Sequence, residues 1–246
     1  MKTTGYIAEV HYKKPKDCTQ YPFNLDVLRT LDTIKLDGNV TFFVGENGSG
    51  KSTLIEAIAI AYGFNAEGGS INYNFSTRNS SSNLFESLLL TKTYKKPKDG
   101  FFLRAESFYN VATQIEAMDS IPAAAPKIIA SYGGKSLHEQ SHGESFLCLM
   151  NERFRGNGLY ILDEPEAALS GDRQLSFLLR LHELVLANSQ FIIATHSPVL
   201  LSYPNATIYS IESSGIKKRK YEETTPYQFY KMFMDDYKRV LHNLLQ

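Results

Sequence analysis

The stretch that decides the fold reads Gly45-Glu46-Asn47-Gly48-Ser49-Gly50-Lys51-Ser52, with Thr53 next. It follows the apolar run Val40–Val44 and precedes Leu54–Ala59, which indicates a strand, a glycine-rich loop and a helix in succession. This is the context in which the pattern G-x-x-x-x-G-K-S forms a phosphate-binding loop. The stretch therefore predicts a site for a nucleoside triphosphate with Mg²⁺.

The chemistry of such a loop follows from its residue types. Glycines let the backbone wrap a phosphate without Cβ clashes, and successive N–H groups then point inward as an anion nest. A helix that opens at about Ser52 adds its positive dipole end. Lys51 is placed to reach the β- and γ-phosphates, and the Ser52 hydroxyl to ligate Mg²⁺. We expect residues 46–53 to contact the nucleotide.

The composition is that of a globular protein with no overall excess of basic residues. The chain has 246 residues and is 43% hydrophobic, and its Lys+Arg and Asp+Glu counts are both 26. Cys18 and Cys148 form no metal-binding pair, and two isolated cysteines suit a reducing compartment. The first residues form no apolar signal core, and no apolar run approaches the roughly 20 residues of a membrane helix. We expect a cytoplasmic protein without a membrane segment.

Short apolar strands alternate with helical segments along most of the chain, which predicts an α/β fold with a mainly parallel sheet. One helix is expected from Lys51 to Tyr62, ending near Gly63. Strands at 92–94 and 101–106 flank a turn and are expected to pair as a hairpin. A single closing helix is expected from Pro226 to Leu245.

Two acids follow the apolar run Leu159–Leu162. Ligand sites in open α/β sheets lie at the carboxyl ends of the strands, where Asp163 and Glu164 are placed. Asp163 is a candidate Mg²⁺ ligand, and Glu164 a candidate to orient or deprotonate a nucleophilic water. The alternative is an acidic surface turn, which the upstream phosphate-binding loop disfavours.

A histidine occupies the equivalent place after a neighbouring strand. The apolar run Phe191–Ala194 leads into Thr195 and His196. At this position His196 is a candidate to contact the γ-phosphate, although a histidine in a loop is more often structural.

Together these residues resemble the ABC-type ATPases, a group that includes transporter nucleotide-binding domains and SMC and RecF-like proteins. The resemblance covers nearly the whole chain, with residues 45–52 as Walker A, residues 159–164 as Walker B and His196 as the switch histidine. It implies one domain over residues 1–246, with a parallel sheet flanked by helices, an N-terminal antiparallel β subdomain and a helical signature region at roughly 107–155.

The segment Gln140–Ser145 is similar to a divergent form of the family's signature. Ser141 takes the serine place, Gly143 the second glycine and Glu144 the glutamine. The same residues also fit an ordinary capping box. The H-G-E-S form, with D-E-P-E-A-A-L-S at 163–170, looks more like small bacterial AAA-named ATPases of the ABC group than like transporter subunits.

The resemblance implies that two chains sandwich two ATP molecules, with the signature of one facing the Walker A loop of the other. The chain is then a Mg²⁺-dependent ATPase that forms an ATP-dependent homodimer and acts with an unidentified partner protein. Three alternatives stay open, namely a nucleotide-binding subunit of an ABC transporter, a DNA-associated ATPase of the RecF-like type, and a regulatory module that senses nucleotide and holds a partner without turnover.

Some of the family's positions lack a clear match. Glu106 stands where a glutamine is usual after a central strand, and either Tyr21 or Phe23 is the candidate adenine contact. Basic clusters at 13–16, 95–98 and 217–220 could touch a nucleic-acid backbone, but they are expected in solvated turns.

Overall fold

The computed structural model describes residues 5–71, 82–104 and 142–246, together with Thr113, Asp119 and Ile129. The strands are β1 (Ile7–Tyr12), β2 (Thr33–Lys35), β3 (Val40–Gly45), β4 (Gly69–Ser70), β5 (Leu88–Lys92), β6 (Asp99–Arg104), β7 (Gly158–Asp163), β8 (Gln190–Ala194), β9 (Thr207–Glu212) and β10 (Gly215–Arg219). The α-helices are α1 (Lys51–Tyr62), α2 (His142–Cys148), α3 (Gly171–Leu186), α4 (Pro198–Leu201), α5 (Thr225–Asp235) and α6 (Tyr237–Leu244).

Shorter helical turns join these elements. A π-helical turn at Leu149–Arg153 extends α2, and 3-10 turns lie at Asp26–Leu28, Asn83–Ser87, Pro165–Ala168 and Tyr221–Glu223.

The strands form two sheets. The main sheet has seven strands in the order β10-β9-β3-β8-β7-β6-β4, and the pairs from β9 to β6 are all parallel. Strands β10 and β4 lie antiparallel at its two sides. A smaller antiparallel sheet has the order β2-β1-β5. The expected α/β fold class is therefore confirmed, including the N-terminal antiparallel β subdomain.

Both faces of the parallel sheet are buried, which explains why its strands are continuously apolar. On one face, Phe42 of β3 and Tyr160 of β7 pack with side chains of α2, α3 and α4. On the other face, Phe43 and Ile161 pack with α1 and the smaller sheet. Successive residues of each strand thus enter two different hydrophobic clusters, as the alternation of side chains along a strand requires.

The helix after the phosphate-binding loop has the expected bounds, Lys51–Tyr62, with Gly63 at its C-cap. Two glycines make the preceding loop possible, because Gly48 has a φ of 79° and Gly50 a φ of 97°. Side chains with a Cβ rarely adopt this left-handed region.

The expected hairpin at 92–106 is wrong. Strand β5 pairs with β1 in the smaller sheet, whereas β6 lies between β7 and β4 in the main sheet. The physical reason is the burial of Phe101 and Phe102 on opposite faces of the main sheet, which requires covered surfaces on both sides. The intervening turn therefore crosses from one sheet to the other.

Two expectations near the C-terminus also need correction. The closing helix is two helices, α5 and α6, because the backbone at Asp236 leaves the helical region and its side chain accepts a hydrogen bond from the N–H of Arg239. The basic residues Lys217–Arg219 lie on strand β10 rather than in a turn. Within the described ranges, no helix is both long and apolar enough to cross a lipid bilayer.

Candidate nucleotide site

The candidate site lies where β3, β8 and β7 reach their carboxyl ends. Strand β8 pairs with β3 on one side and with β7 on the other, so the loop after β8 lies between the phosphate-binding loop and the acidic turn. Residues from three distant parts of the sequence therefore meet at one edge of the sheet, as the topology of open α/β sheets predicts.

Lys51 folds back along the phosphate-binding loop. Its ammonium donates hydrogen bonds of 2.9 Å to the carbonyl oxygens of Gly45 and of Glu46. The residue is only 4% exposed, and this burial lowers the pKa of Lys51, while the nearby Glu164 and Asp163 oppose the shift. A partly desolvated cation held on two carbonyl oxygens of this loop is well placed to attract phosphate oxygens.

Ser52 and Asp163 meet directly. The Ser52 hydroxyl donates a hydrogen bond of 3.0 Å to Oδ1 of Asp163. Asp163 is 8% exposed, and burial raises its pKa to about 6, although the bond from Ser52 and the charge of Arg104 oppose this. The raised pKa means that the protein's own groups do not fully offset the cost of burying the ionised carboxylate.

These two side chains fit a Mg²⁺ ion. Mg²⁺ is usually held by one or two protein oxygens together with phosphate oxygens and waters, not by a cage of protein ligands. A hydroxyl and a carboxylate within hydrogen-bonding distance supply such a pair. The described ranges contain no cluster of three or more His, Cys, Asp or Glu side chains suited to a metal.

Glu164 adopts a left-handed backbone conformation, with φ 50° and ψ 54°. This conformation is rare for a residue with a side chain and concentrates at functional sites. The N–H of Glu164 donates to the carbonyl of Ala194 at 3.0 Å, which fixes the turn against the end of β8. Oε1 of Glu164 then lies 3.4 Å from Nε2 of His196, and the two side chains are 37% and 35% exposed.

Sequence reasoning missed several residues around this site. Glu166 accepts a hydrogen bond of 2.5 Å from the N–H of His196. Arg104 is the neighbour of Asp163 across the β6–β7 pair and forms a 2.8 Å ion pair with Glu56 of α1. The presence of a second acid, Glu166, in the acidic turn was a sequence signal for its contact with His196. No local signal identified the contact of Arg104, because it joins residues far apart in the chain.

A cavity of about 400 Å³ opens over the phosphate-binding loop and α1. Its lining includes Tyr21, Lys51, Ser52 and Glu164. Tyr21 is 63% exposed, and its hydroxyl lies 3.3 Å from Oγ1 of Thr53. Phe23, the other candidate adenine contact, packs instead against the hydrophobic cluster of the smaller sheet.

A larger cavity of about 790 Å³ lies on the other side of the same loop. It is bounded by Glu46 and Ser49, by the end of β9 and by the first turns of α5, including Phe229. The two cavities share Asn47 and Gly48. All of residues 46–53 therefore line one cavity or the other.

Only part of the expected signature lies within the described ranges. Ser141 and Glu106 fall outside them. Gly143 lies in the first turn of α2, against the carbonyl oxygen of Ala168 and the guanidinium of Arg173. Arg173 also lies 3.5 Å from Glu144, so α2 begins in contact with the segment that follows the acidic turn.

Comparison with known proteins agrees with this architecture. Residues 24–106, which contain the phosphate-binding loop, match a family model described as an AAA domain. No curated protein matches the chain.

Several solved structures are similar to the chain over most of its length. An ATP-binding cassette of an ABC transporter in its ADP conformation is 17% identical, with a TM-score of 0.51, and the alignment covers 92% of this chain and 98% of that one. A metal-chelate-type ABC transporter in an inward-facing conformation is 15% identical, with a TM-score of 0.49, 92% of this chain and 88% of that one being covered. The SMC head domain from Thermotoga maritima is 16% identical, with a TM-score of 0.43 and coverage of 87% and 98%.

The fold is that of an ABC-type ATPase nucleotide-binding domain. The resemblance drawn from the sequence is confirmed at the level of the fold, and residues 24–106 match the model of an AAA domain.

Proposed function

We propose that this protein binds ATP with Mg²⁺ and hydrolyses it, and that ATP drives its dimerisation. The observation that carries the proposal is the meeting of Ser52 with Asp163 and of Glu164 with His196 at one edge of the sheet. Phosphoryl transfer depends mainly on positioning and on electrostatic stabilisation, and these four side chains with Lys51 supply both.

The binding roles follow from the contacts. The loop N–H groups and Lys51 would hold the β- and γ-phosphates, and Tyr21 would stack on the adenine because it stands exposed beside Thr53. Ser52 and Asp163 would hold Mg²⁺, which when bound neutralises charge on the phosphate oxygens.

The catalytic roles belong to Glu164 and His196. The Glu164 carboxylate would orient a water and take its proton as the water oxygen attacks the γ-phosphorus. The bond between that phosphorus and the bridging oxygen breaks, leaving ADP and phosphate. His196, 3.4 Å from Glu164, would donate to the γ-phosphate from the other side.

The dimerisation switch rests on the resemblance and on the position of α2. This helix begins at His142, directly after Ser141 in the sequence, and a helix N-terminus with a hydroxyl beside it is an anion site. In a two-fold dimer this end of α2 would complete the site built on Lys51 of the second copy. We further propose that residues 1–246 act as one ATPase domain, in the cytoplasm, with a partner protein.

The DNA-linked alternative is weakened by the charges on β10. Lys217 and Arg219 pair with Glu212 at 3.2 and 2.7 Å, and Lys218 pairs with Asp37 at 3.3 Å. Basic side chains that already face carboxylates contribute less to a phosphate backbone. No contact in the described ranges favours the alternative of a transporter subunit.

Glu164→Gln is the decisive variant. It should bind ATP with Mg²⁺, lose at least about 100-fold in turnover because the base is removed, and run as a dimer in size-exclusion chromatography with light scattering. Glu183→Gln, at an exposed position on α3, serves as the control. A Glu164→Gln protein that stays monomeric with saturating ATP would reject the dimerisation switch. Wild-type protein without Mg²⁺-dependent ATPase activity would reject the hydrolysis.

A further inference from the structure

His196 lies next to both acids of one short turn. Its ring Nε2 lies 3.4 Å from Oε1 of Glu164. Its main-chain N–H donates a 2.5 Å hydrogen bond to Oε1 of Glu166. The first contact involves the group that would face the nucleotide, whereas the second fixes the backbone that carries it.

The turn itself does not need the Glu166 side chain. The 3-10 turn Pro165–Ala168 is closed by backbone bonds, from the N–H of Ala167 to the carbonyl of Glu164 at 3.1 Å and from the N–H of Leu169 to the carbonyl of Glu166 at 2.9 Å. The left-handed backbone of Glu164 starts this turn. The carboxylate of Glu166 is therefore available for a partner outside the turn.

The other N–H groups of the loop after β8 find different acceptors. The N–H of Thr195 donates to the carbonyl of Phe43, and the N–H of Ser197 donates to Oγ1 of Thr195. Only the N–H of His196, between them, donates to a side chain of the acidic turn. Because a bond to a carboxylate is stronger than one between neutral groups, it sets the position of this residue.

The burial of one Glu166 oxygen atom has a cost in stability that packing alone does not explain. Its second oxygen, Oε2, is buried without a hydrogen-bond partner among the described residues. A buried carboxylate oxygen without a partner is unfavourable for stability and calls for a functional explanation. The charge of Glu166 also acts on Lys51, so this carboxylate lies within the electrostatic field of the phosphate-binding loop.

We propose that Glu166 is a positioning residue for His196. Its carboxylate fixes the main chain at His196, so that the imidazole stays beside Glu164 and within reach of a terminal phosphate. The inference rests on the proposed ATP hydrolysis. Glu166 is not itself catalytic, because its contact is with the backbone of His196 and not with reacting atoms.

Steady-state kinetics of two variants test this role. Glu166→Ala removes the acceptor and should lower kcat roughly 10- to 100-fold, the range found when a group that orients a functional side chain is removed. The KM for ATP should change less than about twofold, since the loop contacts of Lys51 are separate. Glu166→Gln keeps a carbonyl acceptor and should recover most of the rate. Glu222→Ala, at an exposed position, is the control.

A second measurement needs no nucleotide. In protein labelled with ¹⁵N-histidine, a His196→Ala variant identifies the His196 signal among the six histidine amides. This amide should lie downfield and exchange slowly in the wild type and in Glu166→Gln, and lose both properties in Glu166→Ala.

The two proposals fail in different ways. An inactive wild type with a protected His196 amide would reject the ATPase. An active wild type whose rate or amide signal does not respond to Glu166→Ala would overturn the positioning role, and so would a Glu166→Gln variant as slow as Glu166→Ala.

Discussion

Ser52 donates a hydrogen bond of 3.0 Å to Asp163 across a sequence separation of 111 residues. This contact joins the first turn of α1 to the end of β7. Helix α1 follows strand β3, and β3 and β7 are not neighbours in the main sheet. The insertion of β8 between them leaves space at the sheet edge in which a hydroxyl and a carboxylate can converge from opposite sides.

Asp163 should make stability depend on pH in the absence of Mg²⁺. Burial raises its pKa from 3.8 to about 6, so the folded protein holds this proton more tightly than the unfolded chain. The stabilisation is complete below pH 3.8 and is lost as the pH rises through 6, which amounts to about 3 kcal/mol. The Asp163→Asn variant has no carboxyl group to ionise at this position, so it does not lose this stability as the pH rises.

We therefore expect the free energy of unfolding of Asp163→Asn minus that of the wild type to be larger at pH 7.5 than at pH 4.5. Urea unfolding in EDTA at the two pH values measures the difference. Asp235→Asn, at an exposed position, is the control. A difference between Asp163→Asn and the wild type that does not vary with pH would contradict the shifted pKa.

Removal of the Lys51 ammonium should abolish tight nucleotide binding. Lys51→Ala deletes the cation that lies on the phosphate-binding loop, and we expect the Kd for ATP to rise roughly 100-fold, since truncating a buried charge in an ionic contact costs about 2–5 kcal/mol. Isothermal titration with Mg²⁺-ATP measures the effect. Lys96→Ala, at an exposed position, should bind like the wild type. An unchanged Kd would place the triphosphate elsewhere.

Substitutions of Tyr21 and Phe23 should have different effects, because Tyr21 is the proposed contact for adenine and Phe23 packs in the core. Stacking of a base on an aromatic ring contributes about 1–3 kcal/mol, so Tyr21→Ala should weaken ATP binding roughly 5- to 150-fold and leave inorganic triphosphate binding unchanged. Tyr21→Phe keeps the ring and most of the affinity. Phe23→Ala should lower Tm instead, because Phe23 packs on a hydrophobic cluster. Equal losses for ATP and triphosphate in Tyr21→Ala would argue against stacking.

The start of α2 should not tolerate a larger residue at Gly143. A Cβ there would lie 2.5 Å from the carbonyl oxygen of Ala168 and 2.5 Å from the guanidinium of Arg173. Because the first is backbone, Gly143→Ala should destabilise the protein by about 1–3 kcal/mol in urea unfolding. Gly171→Ala is a matched control, since its Cβ would meet no atom within 4 Å. Equal stabilities of the two variants would show that α2 shifts freely.

Local patterns predicted the elements that carry their own signals. Helix α1 was bounded correctly because glycines stand at both of its ends, at Gly50 and Gly63. The run at 159–162 was long enough and apolar enough to indicate a buried strand, and it lies in β7. The acids and the histidine were found because they directly follow such strands.

Other features depend on contacts that no local pattern encodes. The break at Asp236 comes from one capping hydrogen bond, and β10 was missed because its Lys and Arg residues are typical of turns as well as of edge strands. Arg104 and Glu166 gain their places from partners on other elements, Glu56 and His196. The acidic turn was a local signal for Glu166 alone, whereas the role of Arg104 could be seen only after the strand order was known.

The charged strand β10 has a consequence for self-association. In the described part of the chain β10 is an edge strand of the main sheet. The unpaired N–H and C=O groups of an edge strand can bind a strand from another molecule. A strand that paired here would have to desolvate the ion pairs of Lys217 and Lys218, and this cost opposes such recruitment. The side chains that the sequence offers as a nucleic-acid contact therefore disfavour association of two copies through an extended sheet.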